Sequence, residues 1–340
     1  MRTTFVFALT LATYSIFAQI DAKKETHKET KTTPIVVAIV TSKTPETAKK
    51  PDTMPMVKKP NGKAEVRNVK VLNGTKDDFS PMLFENGILY CSNSRKVKND
   101  DEKVPDDLNL KFAPFDSLGR VLRPTTFSRR TNSKTHEGPS CFSQKGDTMF
   151  LTRNMSKGGV DVKSKNGKFT LKIYVKVRDT TGAFVGDKKL PFELENYSYC
   201  HPTLSKDGKR LYFASDMPGG FGGMDLYVIR KINDTTWTSP INLGARINTT
   251  LNEVFPYWGP DNKLYFSSNG QKKSKGGLDI YSIEIDNRAG MTTPLEAPFN
   301  TEFDDFGILF TSKELNKGYF SSNRTGGAGG DDIYEFEYKE

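Results

Sequence analysis

Short runs in which apolar and polar positions alternate recur along most of this chain, and the three-to-four-residue spacing of an amphipathic helix is nearly absent. The runs end in polar turns such as Ser205-Lys206-Asp207-Gly208 and Gly259-Pro260-Asp261-Asn262, which is the pattern of antiparallel strands joined by tight connections. Five strands share one ending, an aromatic or apolar residue, then a small one, then Ser or Thr: Leu89-Tyr90-Cys91-Ser92-Asn93, Met149-Phe150-Leu151-Thr152-Arg153, Tyr212-Phe213-Ala214-Ser215-Asp216, Tyr265-Phe266-Ser267-Ser268-Asn269 and Tyr319-Phe320-Ser321-Ser322-Asn323. The hydroxyl residues fall at 92, 152, 215, 268 and 322, a period of 53 to 63 residues. That is too long for a helical solenoid and suits one propeller blade with loop insertions.

Three copies add a Gly-rich loop running into Asp, an aliphatic residue and Tyr: Gly222-Gly223-Met224-Asp225-Leu226-Tyr227, Gly276-Gly277-Leu278-Asp279-Ile280-Tyr281 and Gly329-Gly330-Asp331-Asp332-Ile333-Tyr334. Ahead of each repeat strand lies a lead-in segment, Asp78-Phe79-Ser80-Pro81, His136-Glu137-Gly138-Pro139, Tyr199-Cys200-His201-Pro202, Glu253-Val254-Phe255-Pro256 and Asp304-Asp305-Phe306-Gly307. Between repeats are outer-strand candidates at 124–127, 190–194, 240–244 and 294–297. The last repeat stops at the C-terminus without one, and a spare candidate, Val69 to Gly74, precedes the first. Residues 64–340 are therefore expected to be all-β: a five-bladed β-propeller of four-stranded antiparallel blades, closed by an N-terminal outer strand that removes the open edge of the last blade.

The motifs Leu211-Tyr212-Phe213-Ala214-Ser215-Asp216, Gly222-Gly223-Met224-Asp225-Leu226-Tyr227 and Asn252-Glu253 before Phe255-Pro256 resemble the PD40 class of WD40-like repeats. That class occurs in TolB-like periplasmic propellers and in propeller domains of outer-membrane-associated proteins of type IX secretion and gliding machinery. The resemblance implies a protein-interaction platform with envelope or secretion-machinery partners. The secretion-linked proteins also carry a tetratricopeptide array and an OmpA-like domain, which this sequence does not show, so peptidoglycan anchoring is not carried over.

The N-terminus adds a compartment. Arg2, the apolar core Phe5 to Ala12 and Ile16-Phe17-Ala18 read as a signal peptide over residues 1–18, which predicts a periplasmic, outer-membrane-associated protein. Residues 19–63 read as a linker: between 22 and 63 stand ten Lys, four acidic residues, eight Thr and five Pro, a composition that buries little. That segment supplies six of the nine net positive charges, so the folded part is near balance. The run Ile35 to Val40 inside it has strand propensity and is expected to dock on the propeller flank or on a partner sheet. Export makes nucleic acid an unsuitable partner despite the basic charge.

Candidate chemistry is sparse. Cys91, Cys141 and Cys200 make an odd set with no spacing that dictates a disulfide, and three His leave little for a metal. A carbohydrate-active hydrolase or lectin is the alternative function, with Asp78, Glu137, Glu253 and Asp304 as carboxylate candidates. These recur at one repeat position, which favours a structural role, and the expectation is a non-enzymatic chain without cofactor. Asp225, Asp279 and Asp332 are read as turn caps rather than calcium ligands. Unlike side chains at the strand ends, Asn93, Arg153, Asp216, Asn269, Asn323 and Arg324, are the candidate partner-binding residues. Charge reversal at Arg153 and Arg324 is accordingly expected to remove binding and spare stability.

Overall fold

In the computed structural model the described residues are 62–93, 107–128, 130–132, 135–233, 236–339. The expected signal peptide, the Ile35 to Val40 run and the expected linker up to residue 61 lie outside them, while Lys63, placed at the end of that linker, opens the first strand. Among the described residues there is no helix, and five four-stranded antiparallel sheets form the blades of a five-bladed β-propeller. Blade one holds β2 (Asp78–Phe84), β3 (Gly87–Ser92), β4 (Asn109–Pro114) and β5 (Thr125–Thr126). Blade two holds β6 (Glu137–Phe142), β7 (Thr148–Asn154), β10 (Leu171–Arg178) and β11 (Phe184–Lys189), with a small hairpin of β8 (Ser156–Lys157) and β9 (Val160–Asp161) inserted. Blade three runs β12 (Tyr199–Leu204), β13 (Arg210–Ser215), β14 (Asp225–Arg230), β15 (Ile241–Asn242), and blade four β16 (Glu253–Trp258), β17 (Leu264–Ser268), β18 (Asp279–Ile283), β19 (Thr293–Pro294). Blade five combines β20 (Asp305–Phe310), β21 (Lys317–Ser322) and β22 (Asp332–Lys339) with the N-terminal β1 (Lys63–Asn68).

The second strand of each blade is buried on both faces because a neighbouring blade covers each side. Side chains that alternate along it enter different cores: Leu89 and Cys91 pack in one inter-blade cluster, Ile88 and Tyr90 in another. In blade three Tyr212 and Ala214 face one neighbour, Leu211 and Phe213 the other. A single blade leaves both faces bare, so the ring must close for any blade to be covered.

Closure is where the sequence pattern needs correction. The strand that completes blade five is β1, paired from Lys63↔Lys339 to Asn68↔Tyr334, and not Val69 to Gly74. Its alternation is disguised by charge, with Ala64 and Val66 directed to the core and Glu65 and Arg67 outward. Val69 to Asn73 instead form a turn, the Leu72 and Asn73 amides donating to the Val69 carbonyl, and Leu72 is buried between blades one and five. In blade two the outer strand is β11 rather than residues 190–194, because a tight turn at Asp179 to Gly182 folds it directly onto β10; Leu190 and Phe192 instead join the core between blades two and three. Blade two is also shifted by one: Arg153 pairs with Glu137 as Ser92 does with Asp78, so Asn154, not Arg153, corresponds to Asn93. In blade five the register equivalent of Asp78 is Asp305, which pairs with Ser322, and Asp304 precedes it.

Candidate functional site

The recurrent polar residues meet at the joints between blades. Four inner strands have a left-handed residue at the same place, Ser80 (φ 53°), His201 (φ 54°), Phe255 (φ 50°) and Gly307 (φ 62°), at the bulge where the first two strands lose register. The freed amides turn toward the preceding blade: Ser80 N donates to Ser321 Oγ at 2.8 Å and His201 N to Thr152 Oγ1 at 2.9 Å. Blade three has Ala214 where those blades have a hydroxyl, and there His201 Nδ1 accepts the Phe255 amide at 3.3 Å.

A second joint is an asparagine that grips both backbone groups of one third-strand residue. Asn73 holds Ile333, Asn132 holds Leu110, Asn248 holds Leu226 and Asn300 holds Ile280, each through Oδ1 and Nδ2 at 2.8 to 3.1 Å. In blade two Glu193 Oε1 accepts the equivalent Ile173 amide, and burial pushes that carboxyl upward. This series was not read from the sequence. The signal was present as an apolar or Thr residue before Asn at 72–73, 131–132, 247–248 and 299–300, the first of them inside the segment taken for the spare outer strand.

The Gly-rich loops serve close approach. A Cβ on Gly222 would lie 2.5 Å from the Thr249 carbonyl oxygen of the next blade, and one on Gly276 2.1 Å from that of Phe303. Their aspartates cap the loops as expected: Asp225 accepts the Phe221 amide at 2.5 Å, Asp279 that of Lys275 at 2.5 Å, and Asp332 that of Ala328.

The carboxylate candidates are embedded in the same joints. Asp78, Glu137, Glu253 and Asp305 are all fully buried. Glu253 accepts from Thr249 N (2.7 Å), Thr249 Oγ1 (2.8 Å) and Ser268 Oγ (2.6 Å), and desolvation still pushes its carboxyl above the usual range. Asp78 accepts from Gly74 N at 2.7 Å and Glu137 from Thr135 Oγ1 at 3.4 Å. Asp304 accepts from Leu278 N at 2.7 Å across the joint and from Asn323 Nδ2 at 2.9 Å.

The candidate partner-binding residues are engaged internally. Asn93, Asp216, Asn269 and Asn323 each accept, through the side-chain oxygen, the amide of the residue before the inner strand: Asp77, Ser198, Asn252 and Asp304, at 2.6 to 3.0 Å. Arg153 is buried, with its guanidinium 4.0 Å from the Tyr174 ring centroid and 3.0 Å from Asp187. Arg324 donates to Asp305 Oδ1 (2.6 Å) and to the carbonyls of Pro298 (3.1 Å) and Phe299 (2.8 Å), and its guanidinium lies 4.8 Å from the Phe320 and 5.1 Å from the Tyr334 ring centroid. The expectation that reversing both arginines spares stability is therefore revised: both are pins of the frame. All three cysteines are free thiols.

What the frame encloses is a central channel of about 510 Å³. Its wall includes Ser80, Met82, Phe84, Ser140, Cys141, Phe142, His201, Thr203, Phe255, Ile308 and Leu309, contributed by all five inner strands. At the mouth stand Glu85, Lys145 and Arg178, with Arg178 Nη2 2.6 Å from Glu85 Oε1.

No protein-family model matches the chain, and no curated protein does either. Its PD40 character therefore remains a resemblance. Solved structures of similar fold include an α-L-arabinofuranosidase from Lactobacillus brevis (11% identity, 80% of this chain and 92% of that one, TM-score 0.45). They also include an endo-arabinase from Bacteroides thetaiotaomicron (14% identity, 79% and 95%, TM-score 0.45) and a putative TolB from Agrobacterium tumefaciens (14% identity, 82% and 98%, TM-score 0.43). At such identity the likeness concerns the fold alone. The expectation of a non-enzymatic chain is withdrawn, since glycan-cleaving propellers stand among the similar structures.

Proposed function

We propose that this propeller is a binding platform of the cell envelope that meets its protein partner with the rim of the channel mouth. The observation that carries the reading is where the repeat breaks. Strand ends and Gly-rich loops repeat because they hold the joints, whereas the turns between first and second strands carry unlike exposed residues in every blade: Glu85 and Asn86, Gln144 and Lys145, Lys206 and Asp207, Asn262, Lys313 and Glu314. A scaffold whose stability is supplied by its frame can vary such turns to set specificity. The signal-peptide reading of residues 1–18 supports a periplasmic, outer-membrane-associated location, and the PD40-like motifs support a role beside a secretion or gliding apparatus.

The test is site-specific photocrosslinking in envelope fractions, with the crosslinker at Lys206 or Glu314 on the rim and at Phe221 on the opposite end of blade three as control. Rim positions should capture one defined envelope protein and Phe221 should not. Capture from Phe221 alone would move the interface to the other face. Release of sugar from arabinan by the wild type, lost in Glu85→Gln, would replace the platform with the carbohydrate-active alternative.

A further inference from the structure

The clasp between blades two and three differs from its four counterparts. Where they have an asparagine it has Glu193, and where they have Asn109, Asp225, Asp279 or Asp332 just before the gripped residue it has Lys172. An asparagine meets the two backbone groups with two different atoms, Oδ1 taking the amide and Nδ2 giving a hydrogen to the carbonyl. Glu193 performs the first half, its Oε1 accepting the Ile173 amide at 3.0 Å. Its other oxygen, Oε2, is buried and has no hydrogen-bond partner. An ionised carboxylate offers acceptors only and cannot supply the second half, whereas a protonated one carries an O–H. Native structures rarely leave such a buried polar atom unmatched.

The charged neighbours do not match Oε2 either. Lys172 and Lys189 are the cations that face Glu193, and neither is in an ion pair with it; the Lys172 ammonium donates to the carbonyls of Leu194 (2.6 Å) and Tyr197 (2.5 Å). The Tyr199 hydroxyl accepts the Leu194 amide at 3.1 Å. Asp216 and Glu195 lie beside Lys172, the first accepting the Ser198 amide at 2.6 Å and the second 3.7 Å from Lys165 Nζ. Burial pushes the Glu193 carboxyl up to about 8, against the opposing pull of the Ile173 amide and the two lysines, and pulls the Lys172 ammonium below its ordinary value. We infer that Glu193 carries a proton on Oε2 and donates it to the Ile173 carbonyl, completing the clasp as the asparagines do, so that the joint between blades two and three is a pH-dependent latch, fastened while Glu193 is protonated and loosened when it ionises. The folded protein binds this proton more tightly than the unfolded chain, whose carboxyl has its ordinary value of 4.5. The contribution of the latch to stability is therefore complete below about pH 4.5, declines as the pH rises and is lost above about 8. This inference concerns a joint of the frame and is independent of the rim reading.

Glu193→Gln in the full chain is the test, because the carboxamide keeps the shape and replaces the titrating O–H by a permanent N–H donor. The two proteins should melt alike at pH 5, and the variant should melt higher than the wild type at pH 9. Between these limits the unfolding constant of the wild type should rise, relative to the variant, by up to about tenfold per pH unit, the slope of one linked proton. Lys172 and the remaining titrating groups are present in both proteins. Infrared difference spectra, folded wild type minus variant, should contain at pH 6 the carbonyl stretch of a protonated carboxylic acid, a signature that titration of Lys172 cannot give, and that band should fade through about pH 8. A readout on the unaltered protein guards against a misfolded variant: hydrogen exchange at the Ile173 amide should lose protection between pH 6 and 9 relative to the Ile280 amide, whose Asn300 clasp does not titrate. A variant that melts below the wild type at pH 9, a difference spectrum without the acid band at pH 6, or a ratio of Ile173 to Ile280 protection that is independent of pH would each overturn the latch. None of these measurements bears on crosslinking at the rim, so the two readings fail separately.

Discussion

Asn73 holds Ile333 by both of its backbone groups, accepting the amide at 2.8 Å and donating to the carbonyl at 2.9 Å across 260 residues of chain. The same grip recurs at Asn132, Asn248 and Asn300 between segments much closer in sequence. At Asn73 it also fastens the ring, because the partner strand belongs to the last blade.

Removing that fastener should therefore be felt globally. Asn73→Ala leaves two buried backbone groups of Ile333 without this partner and should cost ~1 to 3 kcal/mol by denaturant titration. Deleting residues 62–75 should go further, baring the β22 edge and causing aggregation by light scattering. Truncation of residues 22–58 is the control. Equal behaviour of the two truncations would refute closure by β1.

Phe213 and Phe266 occupy equivalent positions in the second strands and are almost fully buried, each stacked on the Tyr of the neighbouring strand, Tyr227 and Tyr281. Phe→Ala at either site should lower unfolding free energy by ~3 to 5 kcal/mol. Losses below ~1 kcal/mol would be those of a surface change and would contradict the packing.

Arg324→Glu tests the revised role of that arginine. The substitution places a carboxylate beside Asp305, whose own carboxyl is pushed upward by burial and held down chiefly by Arg324. Breaking a buried pair in this way should cost ~3 to 5 kcal/mol. A melting temperature unchanged from wild type would restore the sequence expectation that Arg324 is free for a partner.

Acid should weaken the protein partly through His201. Its folded pKa of about 3 lies below the ordinary value near 6.5, so the unfolded chain takes up the proton first. The stability tied to the neutral ring is complete above about pH 6.5 and is lost as the pH falls toward 3. Between pH 7 and 4.5 the wild type should lose more melting temperature than His201→Phe, which lacks the titration. Carboxylates held high by burial, Glu253 and Asp305 among them, are common to both proteins and cancel in the difference. Parallel pH profiles would show that His201 is not buried neutral.

Repetition was legible in the sequence because a repeated fold imposes repeated local demands. Five aromatic-small-hydroxyl strands, the Gly-rich loops and the lack of helical period sufficed for five four-stranded blades and for an N-terminal strand that completes the last one. The capping role of Asp225, Asp279 and Asp332 was also readable, since an aspartate bonding amides four residues upstream is a local interaction. What strand pattern alone could not place was anything decided across a joint. β1 was overlooked because Glu65 and Arg67 mask its inward Ala64 and Val66, and because its partner is at the far end of the chain. Arg153 and Arg324 read as free charges because the rings and carbonyls that cover them belong to other strands and loops. The asparagine grips and the bond from the Phe255 amide to His201 exist only where the blades meet. Alternation records which way a side chain faces within its own strand, while the neighbour it meets there is set by how the blades close around the channel.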